Sequence, residues 1–154
     1  MSDFEDRLAQ RGLSLPGAAA PAANYVPYVL AGDMLYVSGQ ISRDESDALI
    51  TGKVGADLTV EEGAAAAQRC ALYLLAQVRE ACGGDMTRLK RVVKLTGFVN
   101  STPDFADQPK VINGCSDILV DLLGDRGRHA RSAVSAGALP LNVAVEIEGI
   151  FQIA

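Results

Sequence analysis

The segment 141–153 (LNVAVEIEGIFQI) alternates almost without a break. Leu141, Val143, Val145, Ile147, Phe151 and Ile153 fall on one face, and Asn142, Glu146, Glu148 and Gln152 on the other. A period of two describes a strand with one face in a core, and a slip of one residue would invert every side chain. The run 128–134 (RHARSAV) reads as a second strand, with Val134 on its apolar side and Arg131, Ala133 and the following Ser135 opposite. The two strands are expected to pair as a hairpin, joined through Ala138-Leu139-Pro140. Setting Val134 and Val145 in the core then brings Arg131, Glu146 and Glu148 together on a face that the core does not use. That face is either solvated, with a surface ion pair, or a site.

The rest of the chain supplies the partners for this sheet. Tyr25 to Leu30 and Met34 to Ser38 flank Gly32-Asp33, which reads as a hairpin turn. At the end of the second of these strands, Ser38-Gly39-Gln40 marks either a close approach of backbone or ligand, or a β-bulge. Residues 42–57 are polar and irregular, with Ala48 to Lys53 a short strand or turn. Thr59 to Cys82 is the strongest helix: Thr59 and Glu62 form a capping box, and Gly83-Gly84 ends it. Its apolar stripe is Val60, Ala64, Ala67, Ala71, Leu74, Val78 and Cys82. Leu89 to Asn100 is a strand, with Val93, Leu95 and Val99 on one face and Lys94, Thr96 and Phe98 on the other. A second helix runs from about Gln108 to Leu123, with Pro109 in its first turn, an inner stripe of Ile112, Cys115, Leu119 and Leu122, and Gly124 at its end.

At the N-terminus, Ser2 to Gln10 is expected to be a short helix on Phe4 and Leu8, ended by Gly12. Ser14 to Ala23, with Pro16 and Pro21, reads as an extended arm over the body. For 154 residues this order predicts one α+β domain, 1–154, with helix and arm in 1–23. Its core is a single mixed β-sheet with two helices on one face.

Ala130-Arg131-Ser132, Leu139-Pro140 and Val145-Glu146-Ile147-Glu148 resemble the C-terminal signature of the YjgF/RidA family. Tyr25, Gly32 and Val37-Ser38-Gly39-Gln40 match that family's upstream block in order and spacing. The resemblance covers roughly Asn24 to Ile153. It implies a chorismate-mutase-like homotrimer with clefts between subunits. It further implies hydrolytic deamination of small reactive 2-imino and 2-enamino acids to 2-keto acids and ammonia, without metal or organic cofactor. In that scheme Arg131 grips the substrate carboxylate by a two-point contact. Glu146 orients water and moves protons. Tyr25, Ser38, Gly39, Asn113 and Ala133 bind substrate. Asn113 stands one residue further from Arg131 than the usual pattern, and is either that residue or a solvated helix asparagine. The better-known branch of the family has Cys at the position of Ala133 and Pro at that of His129. His129 is a new site residue, a pH-sensitive interface residue, or only the end of a loop.

Charge narrows the partners. The net charge is −5, which repels phosphate backbones and argues against nucleic acid as partner or substrate. The one basic cluster, Arg88, Lys90, Arg91 and Lys94, reads as the solvated start of a strand. Cys70, Cys82 and Cys115 lie in apolar helical patterns without metal-ligand spacing, which suggests buried thiols. The single histidine makes a histidine-based metal site or a serine triad a poor fit. No membrane-length apolar run and no apolar leader are present, so no membrane association and a cytoplasmic location are expected. A trimer that binds a small carboxylate as sensor or carrier is the competing reading, and a ribonuclease is a weaker third.

Overall fold

A computed structural model describes residues 3–21 and 23–154. The chain runs α1 (Asp3–Gln10), β1 (Tyr28–Ala31), β2 (Met34–Ile41), α2 (Val60–Ala81), β3 (Leu89–Asn100), α3 (Gln108–Leu123), β4 (Ala130–Ala136) and β5 (Val145–Ile153). Ser2, expected to begin the first helix, lies outside the described residues, as does Ala22 of the arm. The five strands form one mixed sheet in the order β1-β2-β5-β3-β4. Only β3 and β4 are parallel; the other pairs are antiparallel. The α+β architecture with one mixed sheet is therefore as expected. α2 and α3 cover one face, and α1 packs on α3, where Arg11 pairs with Asp121 at 2.7 Å. No helix among the described residues is long and apolar enough to cross a membrane.

Local chemistry sets the element ends. Thr59 caps α2 and completes the capping box with Glu62. Gly32 takes a φ of 65° in the β1–β2 turn. α2 is more enclosed than an amphipathic stripe predicts, because every residue from Ala71 to Val78 is buried. The arm explains this. It lies against α2, where the Arg79 guanidinium donates to the Pro16 carbonyl at 3.5 Å and the Gln77 amide donates to the Ala19 carbonyl at 2.8 Å. α2 and α3 also approach closely: a Cβ on Gly114 would clash with the Ala64 carbonyl oxygen.

The expected C-terminal hairpin does not form, because β3 lies between β4 and β5. β3, α3 and β4 make a parallel crossover unit instead, which places β4 at the sheet edge. In its register Leu95 stands opposite Arg131, Gly97 opposite Ala133 and Val99 opposite Ser135. Those β3 residues face the helices, so Arg131, Ala133 and Ser135 do too. Val134, expected in the core, faces outward and is 43% exposed. A strand of mostly Ala and Ser offers too little apolar contrast for a single valine to specify its face.

β5 behaves as its alternation predicts from Val143 onward. Leu141 is the exception: it sits in a tight turn with φ 57° and is 65% exposed. Glu146 stands opposite Phe98 and Ile41 on the uncovered face, as does Glu148 opposite Thr96. Arg131 and Glu146 therefore project from opposite faces of one sheet, and do not share one. Val93, expected beside Leu95, yields its place in the core to Val92, because β3 carries a bulge between Val92 and Lys94.

Candidate functional site

The first cluster is built on a bulge in β2. The register with β5 shifts between Val37 and Gln40, which adds one residue to β2 around Ser38-Gly39. The Ser38 hydroxyl donates to the Val26 carbonyl at 2.9 Å, and its N–H donates to the Pro27 carbonyl at 2.9 Å. These bonds hold the segment carrying Tyr25 against the bulge. A Cβ on Gly39 would lie 2.8 Å from Glu146 Oε1 and 3.0 Å from its Cδ. The bulge reading of this glycine holds, and the neighbour that approaches it is a side chain, the Glu146 carboxyl, which rests on the space a Cβ would fill. Tyr25, Ser38, Gly39 and Glu146 line one cleft of about 180 Å³, walled by Leu141 and by the arm at Ala19 to Pro21. Burial, and then the neighbouring Glu148, push the Glu146 carboxyl above its usual range. An acid so perturbed is suited to hold and deliver a proton.

The second cluster lies on the helix side of the sheet edge. Arg131 Nη1 donates to the Ser116 hydroxyl at 3.0 Å, and Nη2 donates to the Pro109 carbonyl at 3.2 Å. Other guanidinium N–H groups remain for a ligand. His129 Nε2 lies 2.9 Å from the same Ser116 oxygen, and His129 Nδ1 lies 2.6 Å from the Gly127 carbonyl. Asn113, exposed one turn before Ser116 on α3, lines the same open cleft with Asp117 and Arg128. Ala133 is half-buried, opposite Gly97 and on the strand face of Arg131. The buried Cys115 behind Arg131 is pushed up to about 12, so it is no thiolate nucleophile at neutral pH.

The structure thus sorts the expected site residues into two sets. Tyr25, Ser38, Gly39 and Glu146 share one cleft; Asn113 and Arg131 share another, with Ala133 on the same face. Within one chain the two sets do not meet. Sequence reasoning missed Ser116, although its i, i+3 spacing from Asn113 places both on one helix face. It also missed the arm as a wall of the Glu146 cleft, since alanine and proline carry no chemical signal.

Comparison with known proteins adds an independent line. Residues 5–151 match the family model described as "YjgF/chorismate mutase-like, putative endoribonuclease". The chain is 48% identical to Protein TCP17 of Trypanosoma cruzi over 147 residues, covering 95% of this chain and 91% of that protein. It superposes on the crystal structure of Atu1372, a protein of unknown function from Agrobacterium tumefaciens. There the TM-score is 0.92 and identity 45%, over 99% of this chain and 93% of that one. A structure titled a putative endoribonuclease, from Shewanella oneidensis, matches with TM-score 0.93 and 36% identity, over 97% of this chain and 99% of that one.

Proposed function

The chain belongs to the YjgF/RidA family, and from that premise we propose that it is a cofactor-free hydrolytic deaminase of small 2-imino and 2-enamino acids, working at clefts between three copies. The observation that carries this reading is the Glu146 carboxyl seated on Gly39 with its proton affinity raised. Arg131 supplies the complement: a guanidinium with free donors, suited to a carboxylate. The uncovered sheet face also exposes Tyr36 and Val134, apolar area that a second copy would bury. A cyclic, head-to-tail assembly would set Arg131 of one copy against Glu146 of the next.

In the composite cleft Arg131 grips the substrate carboxylate, with Asn113 and Ala133 beside it. Glu146 gives its proton to the enamine carbon, leaving an iminium at C2. The Glu146 carboxylate then takes a proton from the water that attacks C2, giving a carbinolamine. The carbinolamine hydroxyl loses its proton as nitrogen gains one, the C–N bond breaks, and 2-keto acid and ammonia leave. The enzyme ends as it began. The three free, buried cysteines suit a reducing compartment such as the cytoplasm.

Ala133, which offers no proton donor, favours the second reading: a trimer that binds a small carboxylate without turning it over. Keto-acid release on adding the protein to freshly generated 2-iminobutyrate separates the two. Faster release than buffer alone supports the deaminase; unchanged release with saturable keto-acid binding supports the binding protein.

A further inference from the structure

Ser116 joins Arg131 to His129, and neither Ser116 nor His129 belongs to the motifs that carry the family resemblance. The direction of each bond follows from donor counting. The Gly127 carbonyl only accepts, so His129 Nδ1 carries the hydrogen of that bond. In a neutral imidazole Nε2 is then bare and accepts the Ser116 hydroxyl hydrogen. The Ser116 oxygen keeps a lone pair for Arg131 Nη1–H. With neutral His129, the hydroxyl hydrogen is therefore committed to the imidazole and is not offered to a ligand beside the guanidinium.

Protonation reverses one link. Nε2–H would donate to the Ser116 oxygen, which can still accept from Arg131. The hydroxyl hydrogen is then freed to point into the cleft, beside Arg131 and Asn113. A positive imidazolium is added within the same wall. Both changes favour an anion, and by linkage a bound anion favours the proton. Burial and the Arg131 charge hold His129 below its ordinary range, while its bond to Gly127 opposes them. Asp117 and Arg128 line the same cleft, with Asp125 paired to Arg128, and Arg91 lines the neighbouring hollow on the other side of His129.

We propose that Ser116 and His129 are positioning residues that make the carboxylate grip of Arg131 proton-linked, so that substrate and product acids bind more tightly as His129 takes up a proton. This rests on the reading of Arg131 as the carboxylate anchor. The test is calorimetric titration of pyruvate, whose carboxylate stays ionised throughout, between about pH 8 and about pH 5.5, spanning the ordinary histidine range. Wild-type affinity is expected to rise as pH falls. His129→Gln can accept the Ser116 hydrogen but cannot titrate, so it should match wild type at high pH and lose the gain at low pH. Ser116→Ala should bind roughly three- to tenfold more weakly, the loss of about one hydrogen bond, with a flat profile. Ser116→Thr should restore the profile. Glu146 of a neighbouring copy would act with the same sign, so Glu146→Gln is titrated in parallel and should keep the His129-dependent gain.

His129 is the only histidine in the chain, so its imidazole NMR signal is unambiguous. Saturating pyruvate should raise its titration in wild type and leave it unmoved in Arg131→Ala. If Arg131→Ala abolishes binding while wild-type affinity is independent of pH, or the gain survives in His129→Gln, the proton linkage is wrong and the anchor stands. If Arg131→Ala binds pyruvate like wild type, the anchor is wrong and the linkage falls with it.

Discussion

Arg131 is held by Ser116 and Pro109 on the helix side of the sheet edge, and two of its donors are already directed. A lysine there would keep the charge but lose the planar fork and one of two parallel bonds to a carboxylate. Charge-assisted bonds contribute about 1.5–3 kcal/mol each. Arg131→Lys should therefore weaken 2-keto acid binding by roughly tenfold to a hundredfold, at about 1.4 kcal/mol per tenfold. Arg131→Ala should lose more. Both should fold, since the residue is half-exposed at an edge; equal calorimetric affinity in wild type and Arg131→Lys would rule out the fork. The two glutamates of β5 divide differently. Glu146 lies on Gly39 in the cleft, whereas Glu148 is exposed one strand repeat further on. Glu146→Gln should abolish most turnover and Glu148→Gln little, by initial rates of keto-acid release. Stability adds a second signature. The folded-state pKa of Glu146 is raised, so its carboxyl is protonated in both states below the unfolded value. Above that value the folded state loses stability as pH rises through the folded pKa. Glu146→Gln escapes that loss, so its melting temperature should gain on wild type as pH climbs out of the carboxylate range.

Two glycines separate what an element does for the site from what it does for the fold. At Gly39 a new Cβ would press on the Glu146 carboxyl, the movable end of a side chain. Gly39→Ala should fold normally and lose turnover. At Gly114 a new Cβ would press on the backbone of Ala64, which cannot give way without moving α2 off α3. That overpacking costs about 1–3 kcal/mol, and at about 2–4 °C per kcal/mol for a chain of this size, Gly114→Ala should melt roughly 2–12 °C lower. Thermal melts alongside rates would expose an error in either assignment. Elements with strong local signals were readable from sequence. The Thr59–Glu62 box, the glycines after both long helices and the alternation of β5 each specify one answer. β4 was not readable in the same way. Its face and partner are set by the parallel crossover through α3, a nonlocal arrangement, while its own Ala-Ser sequence is nearly neutral between faces. The bulge near Val93 escaped for a related reason, because Val92 and Val93 are interchangeable until packing chooses one.

At the scale of the molecule, the motifs named candidate site residues but not their geometry, because nothing in a single chain's pattern says which copy would complete a cleft. The expected pairing of Arg131 with Glu146 on one face becomes a division between two faces, with Arg131 beside α3 and Glu146 on the open side. This division makes the assembly testable through function. Arg131→Ala and Glu146→Gln should each be inactive when pure. If each site draws its arginine from one copy and its glutamate from the next, mixed assemblies contain some sites with both groups intact. Random mixing in equal amounts gives about a quarter of the sites that combination, one half for each contributor. Unfolding and refolding the two variants together should therefore recover about a quarter of wild-type turnover, with light scattering giving three times the chain mass. A site contained within one chain allows no recovery at any mixing ratio, because every chain then carries a defect in its own site. Recovery from Arg131→Ala mixed with Glu146→Gln, and none from either variant refolded alone, would assign the two clefts to one shared site.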